Sequence, residues 1–286
     1  MKIASSFSIA ICVAFAILTA PETLRAEDRG TKEYLSGEKL LLIGAGSTAP
    51  LILNYAVRHI DSNQASLLPR PILADDWFAR KIGGDFYIGK KNFLSGKSGS
   101  AITAGFCGVA LLAANFTWPE GRSGKDAGQD FFLFHSGLMA TKGVTGIFKG
   151  LVARPRPFLY YYPDSAVQHD DKFSDSRRSF FSGHASSAFY SSAYLNKRLR
   201  EIMRQRLSGD DYSNWRWAPP AILFGWSGFV GLSRIQAYDH YFSDVVVGAV
   251  AGYLLAELFF RFGDNYSSNG GSAERISPIF HLSFSF

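Results

Sequence analysis

The sequence predicts an all-α domain of six helices, and three observations predict it. Six apolar stretches of helical length follow one another along the chain, and polar connections containing Gly and Pro separate them. The stretches are too long for strands. With 286 residues, 47% hydrophobic and 19% charged, the chain can fill a substantial core and is not a disordered polymer. Its 25 Phe residues suit either a thick helical core or contact with lipid, and composition does not choose between them.

From the N-terminus, residues 1–26 read as a secretory signal. Lys2 gives the positive start, Ile9–Leu18 is an apolar run too short to span a bilayer, and Ala26 is a small residue for cleavage, although Leu24 sits where a small one is preferred. The alternative is an uncleaved anchor. Cleavage would remove Lys2, Arg25 and Glu22, a net +1, and lower the formal charge from +6 to +5. A modest positive excess fits anionic substrates or membrane surfaces; without a basic tail or an aromatic-basic repeat it is no nucleic-acid signature. Cys12 would leave with the signal. Cys107 would then stand alone in an apolar stretch as a buried thiol, with no disulfide and no Cys/His zinc spacing.

The six helices are expected at Lys39–His59, Ser98–Trp118, Asp130–Val152, His184–Arg206, Trp217–Ser233 and Tyr241–Phe262. Between the first two lies a small polar insertion with Asp75, Asp76 and Trp77, then a glycine-rich piece, Gly83–Gly89, that reads as a short hairpin. Leu40–Val57, Ser98–Trp118 and Trp217–Ser233 are free of charge over about the length of a span. The other three carry charges, the mean hydropathy is low for six spans, and basic connections on both sides give no orientation. An exported domain, soluble or peripherally attached to the membrane, is the expectation. The last residues, Ile276–Phe286, alternate apolar and polar with the exception of Ile279, so a short β-like C-terminal tail is expected to dock on the domain or on the hairpin.

Three segments carry chemistry. Lys149 and Arg156 are seven residues apart, two turns along one face if the helix continues, and Pro155 and Pro157 end the helix there. Arg offers a planar fork to phosphate oxygens and Lys a point charge, yet such a pair is also a common solvated helix end. Ser182-Gly183-His184 opens the fourth helix: Ser182 is a good N-cap, Gly183 permits close approach, and free N–H groups there attract anions. Alone, it could be a simple cap. His240 and Asp244, at i and i+4, share a helical face, and a carboxylate on one ring nitrogen would leave the other free to attack. Arg234 precedes them from the connection. A lone His/Asp pair is equally a structural hydrogen bond.

Together, in order, Lys-x6-Arg-Pro, Ser-Gly-His and Ser-Arg-x5-His-x3-Asp resemble the signature of the type 2 phosphatidic acid phosphatase (PAP2) superfamily, which includes class A acid phosphatases and vanadium haloperoxidases. The resemblance covers Lys149 to Asp244 and the helical pattern around it. One position departs: Phe181 stands where the family usually has Pro. The resemblance implies a six-helix PAP2-type phosphatase domain at 33–265 and a tail at 266–286. It implies His240 as nucleophile forming a phosphohistidine, Asp244 orienting it and His184 protonating the leaving group. Lys149, Arg156, Ser182, Gly183 and Arg234 would bind phosphate, with no metal or other cofactor. The implied activity is hydrolysis of phosphate mono- or diphosphate esters outside the cytoplasm, on lipid phosphates, with contact to a membrane surface. Open alternatives are a broad-specificity soluble acid phosphatase, a haloperoxidase holding vanadate on His240, and a non-catalytic envelope protein on the same scaffold. His135, Glu257 and the Tyr160–Tyr162 run lie outside the signature and read as packing or paired residues.

Overall fold

A computed structural model describes residues 35–58, 66–83, 98–116, 124–162 and 176–267, and every regular element among them is helical. The all-α expectation holds, with nine helices rather than six among the described residues. The expected segments appear as α1 (Gly37–Arg58), α3 (Ser98–Phe116), α4 (Gly124–Val152), α6 (Gly183–Arg206), α8 (Ala218–Gln236) and α9 (Phe242–Ser267). Three more are α2 (Leu73–Ile82), α5 (Pro157–Tyr161) and α7 (Gly209–Trp215). The expected signal, the Gly83–Gly89 hairpin beyond its first residue and the tail from Ser268 onward lie outside the described residues.

α2 corrects the reading of its segment as a polar connection. It has no long apolar stripe, but its charges suit a helix: Asp75 and Asp76 in the first turn, Arg80 and Lys81 in the last. The Asp75 carboxylate also accepts from the Ile72 N–H at 3.2 Å, satisfying a donor ahead of the first turn.

α6 is the central element and packs against α3, α4, α8 and α9. Its buried face is largely small and hydroxylated (Ser186, Ser187, Ser191, Ser192), which lets neighbours approach closely. α9 meets it through Gly248 and Gly252: a Cβ at Gly252 would fall 2.1 Å from Ser186 O. α1 similarly lies on Gly143 and Gly146 of α4, against Pro50 and Asn54. The main apolar core, with Leu111, Leu133, Phe134, Tyr190, Tyr194 and Phe259, fills the space between α3, α4, α6 and α9. Cys107 is buried there, as expected.

Near the start of α4, Asp130 receives both Nε and Nη2 of Arg198 at 2.9 and 2.7 Å, Tyr194 Oη at 2.9 Å and Asn115 Nδ2 at 3.0 Å. This buried ion pair ties α3, α4 and α6 in register. It is 19 residues, about 28 Å along a helix, from Lys149 at the other end of α4.

Among the described residues, three helices are long and apolar enough to cross a membrane: Gly37–Val57, Gly99–Phe116 and Phe242–Phe262. The third is not one of the charge-free stretches, and Trp217–Ser233, which is, does not qualify. Freedom from charge is not sufficient there, because Pro, Ser, Gly and Trp dilute the hydropathy of α8. α9 instead hides its acids: Asp244 is fully buried and Glu257 pairs with Lys197 at 2.6 Å and Arg261 at 2.9 Å. Leu41, Leu42, Ile52, Phe106, Val109 and Val250 are exposed on these three helices, an apolar surface suited to lipid.

Candidate active site

α4 ends at Val152, where the left-handed Ala153 (φ 49°) turns the chain out of the helix. Lys149 and Arg156 therefore do not share one continuous helix; Arg156 is the N-cap of α5, with Pro157 in its first turn. Beyond the break, residues 153–156 run beside the approach to α6. Arg156 N–H donates to Ser176 O at 2.8 Å, and Ser179 N–H to Arg154 O at 2.9 Å.

At the start of α6, Ser182 caps the helix by accepting from Ala185 N–H at 3.3 Å. Its own N–H donates to Asp244 O at 3.0 Å, stitching α6 to the first turn of α9. Phe181, at the family's Pro position, is buried and packs on Phe148 of α4 with ring centroids 5.5 Å apart. Packing thus fixes the approach to the cap. The Lys149 Nζ lies 4.0 Å from where a Gly183 Cβ would sit, beside the α6 N-terminus.

The third segment folds back between α8 and α9. Asp239 and His240 N–H groups donate to Arg234 O at 3.1 and 3.3 Å, and Phe158 N–H donates to Tyr238 O at 3.1 Å. The first of these elements, the α4–α5 break, is thereby joined to the third. His240 is 1% exposed, with its Nδ1 3.8 Å from Asp244 Oδ2. That is longer than a hydrogen bond, and Nδ1 has no hydrogen-bond partner among the described residues.

The electrostatics show how closely the segments meet. Burial holds His240 well below the ordinary histidine value, and Lys149, Arg156 and Arg234 push the same way. His184 is lowered to about 3 by burial first, then by Arg234, Lys149 and Arg156. Both imidazoles therefore lie in the field of the same three cations. Asp239 tempers that field, accepting from Arg156 Nη1 at 3.2 Å and from Arg234 Nη2. Three cations and one carboxylate leave a formal +2, the complement of a phosphoryl dianion.

Residues 131–267 match the PAP2 superfamily, and all eight expected site residues lie within that stretch. Over these residues the chain belongs to the PAP2 superfamily. It is 32% identical over 147 residues to phospholipid phosphatase 1 of Mus musculus, covering 44% of this chain and 48% of that one. It is 32% identical over 145 residues to a probable diacylglycerol pyrophosphate phosphatase 1 of Schizosaccharomyces pombe (44% and 51%). With phospholipid phosphatase 2 of Bos taurus it shares 33% over 152 residues (46% and 49%). The chain spans about half the length of these curated relatives. No solved structure matches it.

Around the PAP2 motifs the structure adds five residues that sequence reasoning missed. Arg154 Nη1 donates to Asp244 Oδ1 at 2.6 Å, Ser179 Oγ donates to Asp244 Oδ2 at 2.5 Å, and Tyr241 N–H donates to the same oxygen at 3.0 Å. Asp75 of α2 grips Arg154 from the other side, and Asp239 bridges Arg156 and Arg234. Arg154 and Asp239 sit inside the motif spacers, where any residue is allowed. Asp75 is about 70 residues upstream of the first motif, with no local signal beyond its helix-start position. Glu257 belongs to the ion pairs of α9, exposed His135 bonds Phe131 O at 3.0 Å, and Tyr161 and Tyr162 pack on Tyr238. Among the described residues, no group of three His, Cys, Asp or Glu side chains is arranged to hold a metal ion.

Proposed function

We propose that the chain is a phosphatase that hydrolyses phosphate mono- or diphosphate esters of lipids through a phosphohistidine at His240. The observation that carries this reading is two buried imidazoles, His184 and His240, in the common field of Lys149, Arg156 and Arg234. In this mechanism the neutral His240 ring, with Nδ1 towards Asp244, attacks phosphorus through Nε2. The P–O bond to the leaving group breaks, and His184 gives a proton to the departing oxygen. Lys149, Arg156, Arg234, Ser182 and the Gly183 N–H hold the equatorial oxygens and stabilise charge developing on them. A water, deprotonated by His184, then cleaves the N–P bond and releases phosphate.

The depressed basicity of both rings supports the assignment. A nucleophilic imidazole must be neutral, and His240 is held so by its surroundings. His184 needs a proton only once the ester is bound, when the phosphoryl dianion offsets the cations that repel that proton. A lipid substrate is supported by the exposed apolar faces of α1, α3 and α9 and by the phospholipid phosphatase names of the relatives. The domain is membrane-associated in this reading, exported, with its site on the outer side. α1, α3, α4, α6, α8 and α9 form its six-helix core.

Phosphate release from phosphatidic acid, diacylglycerol pyrophosphate and a prenyl diphosphate, measured on the full chain in detergent micelles with a soluble aryl phosphate beside them, tests the reading. Wild type should turn over at least one lipid phosphate in EDTA, and His240→Ala should not. Activity surviving His240→Ala, or lost to EDTA, would contradict it.

A further inference from the structure

The region preceding the PAP2 match sends one side chain to the nucleophile's support. Asp75, in the first turn of α2, is fully buried. Its Oδ2 accepts from Arg154 Nη2 at 2.7 Å and from Ser243 Oγ at 3.0 Å, and its Oδ1 accepts from Ser243 N–H at 2.8 Å. Arg154, 1% exposed, directs Nη1 to Asp244 Oδ1 at 2.6 Å and to Ser243 Oγ at 2.8 Å. Its guanidinium lies over the Tyr241 ring, 4.0 Å from the centroid. A chain of carboxylate, guanidinium and carboxylate thus runs from α2 to the first turn of α9.

The composition of this chain matters as much as its geometry. One guanidinium between two carboxylates leaves a formal −1 in a space closed to water, an arrangement that costs stability. The excess charge lies beside His240, whose Nδ1 is 3.8 Å from Asp244 and without a hydrogen-bond partner among the described residues. If Arg154 faced Asp244 alone, the pair would be neutral and Asp244 would offer little to a ring becoming positive. Asp75 shares the guanidinium and restores that capacity.

We propose that Asp75 is a positioning residue for phosphoryl transfer, acting through Arg154 to hold Asp244 in line with His240 and to leave a net negative charge in the chain beside the ring. The inference rests on the phosphohistidine reading above. As the ring's lone pair forms the N–P bond, the electrons of the breaking P–O bond pass to the leaving oxygen, which takes the proton of His184. The ring gains positive charge, and the −1 of the Asp75–Arg154–Asp244 chain stabilises it in the transition state. Asp75 touches none of the groups that hold the phosphoryl oxygens, so it acts on the chemical step and not on binding.

The test is Asp75→Asn in the full chain, with kcat and KM for phosphatidic acid in micelles and tungstate affinity as a measure of the anion pocket. Losing a charge-assisted buried contact corresponds to a kcat lower by roughly 10- to 100-fold. KM and tungstate affinity should stay within about threefold of wild type. In an Asp244→Asn background the same change should have almost no further effect, because its route to His240 is gone. Removing a buried carboxylate can unfold a protein, so Ser243→Ala supplies a second variant. It deletes the hydroxyl bridging Asp75 and Arg154 but keeps all three charges, and should lower kcat by about threefold to tenfold with unchanged tungstate affinity. Unchanged kcat in the folded variants, full additivity with Asp244→Asn, or tungstate affinity falling in step with kcat would each overturn the proposal. A wild-type chain that binds tungstate but releases no phosphate from any ester would instead remove the reading beneath it.

Discussion

Replacing Gly248 by alanine drives a methyl group into the point where α6, which carries His184, meets α9, whose first turn carries Asp244. A Cβ there falls 2.6 Å from Ser182 O, against the 3.4 Å at which ordinary contact begins, so α6 and α9 must separate by about 0.8 Å, the difference of the two. The oxygen belongs to the N-cap of α6, two residues before His184, and the Ser182 N–H is bonded to Asp244 O at 3.0 Å. Backbone on both sides leaves no flexible side chain to yield. Overpacking of this kind costs about 1–3 kcal/mol of stability. The larger effect falls on catalysis, because a misplacement of about 1 Å between reacting groups can cost on the order of 100-fold. Phosphate release from lipid phosphate in micelles should therefore fall roughly 10- to 100-fold in kcat/KM. Gly228→Ala is the control: it lies in α8 with no heavy atom within 4 Å of its added Cβ, and should keep wild-type activity. Wild-type kcat/KM in Gly248→Ala would refute the claim that the α6–α9 contact sets the geometry of the site.

Two further outcomes follow from the charges. In the free site His184 is lowered to about 3 by burial and the neighbouring cations, so it is neutral at pH 5 to 7. A bound dianion offsets those cations and raises it, so tungstate binding should take up a fraction of a proton at pH 5, less as pH rises. Calorimetry in two buffers of different ionisation enthalpy measures the uptake, which should largely vanish in His184→Gln; zero uptake in wild type would contradict the assignment. Asp239 is the internal counter-ion of Arg156 and Arg234 and competes with an incoming anion for them. Asp239→Asn should therefore tighten inhibition by inorganic phosphate by on the order of tenfold, read as a lower inhibition constant.

The parts of this molecule legible in the sequence were those written in local patterns. Six long apolar runs predicted six of the helices, because burying an apolar face is a property of the run itself. Ser182 read as an N-cap and is one, since capping needs only a hydroxyl before a helix. α2 was misread as a connection because what defines it, Asp75 bound to Arg154 and Ser243, is a tertiary contact made by residues 79 and 168 positions away. The continuous helix entertained for Lys149 and Arg156 fails at Ala153, whose left-handed backbone has no glycine to announce it. Span prediction erred for a related reason. Charge counting rejected α9 because of Asp244 and Glu257, yet the fold buries one and pairs the other.

The most direct test is chemical capture of the covalent intermediate. The full chain would be mixed with a lipid substrate carrying radiolabelled phosphate, quenched within milliseconds under alkaline conditions that spare phosphohistidine, and mapped by proteolysis. The account predicts label on the peptide containing His240, stable to base and lost in acid, and absent from His240→Ala. Label on another residue, or turnover with no labelled protein together with undiminished activity in His240→Ala, would contradict it.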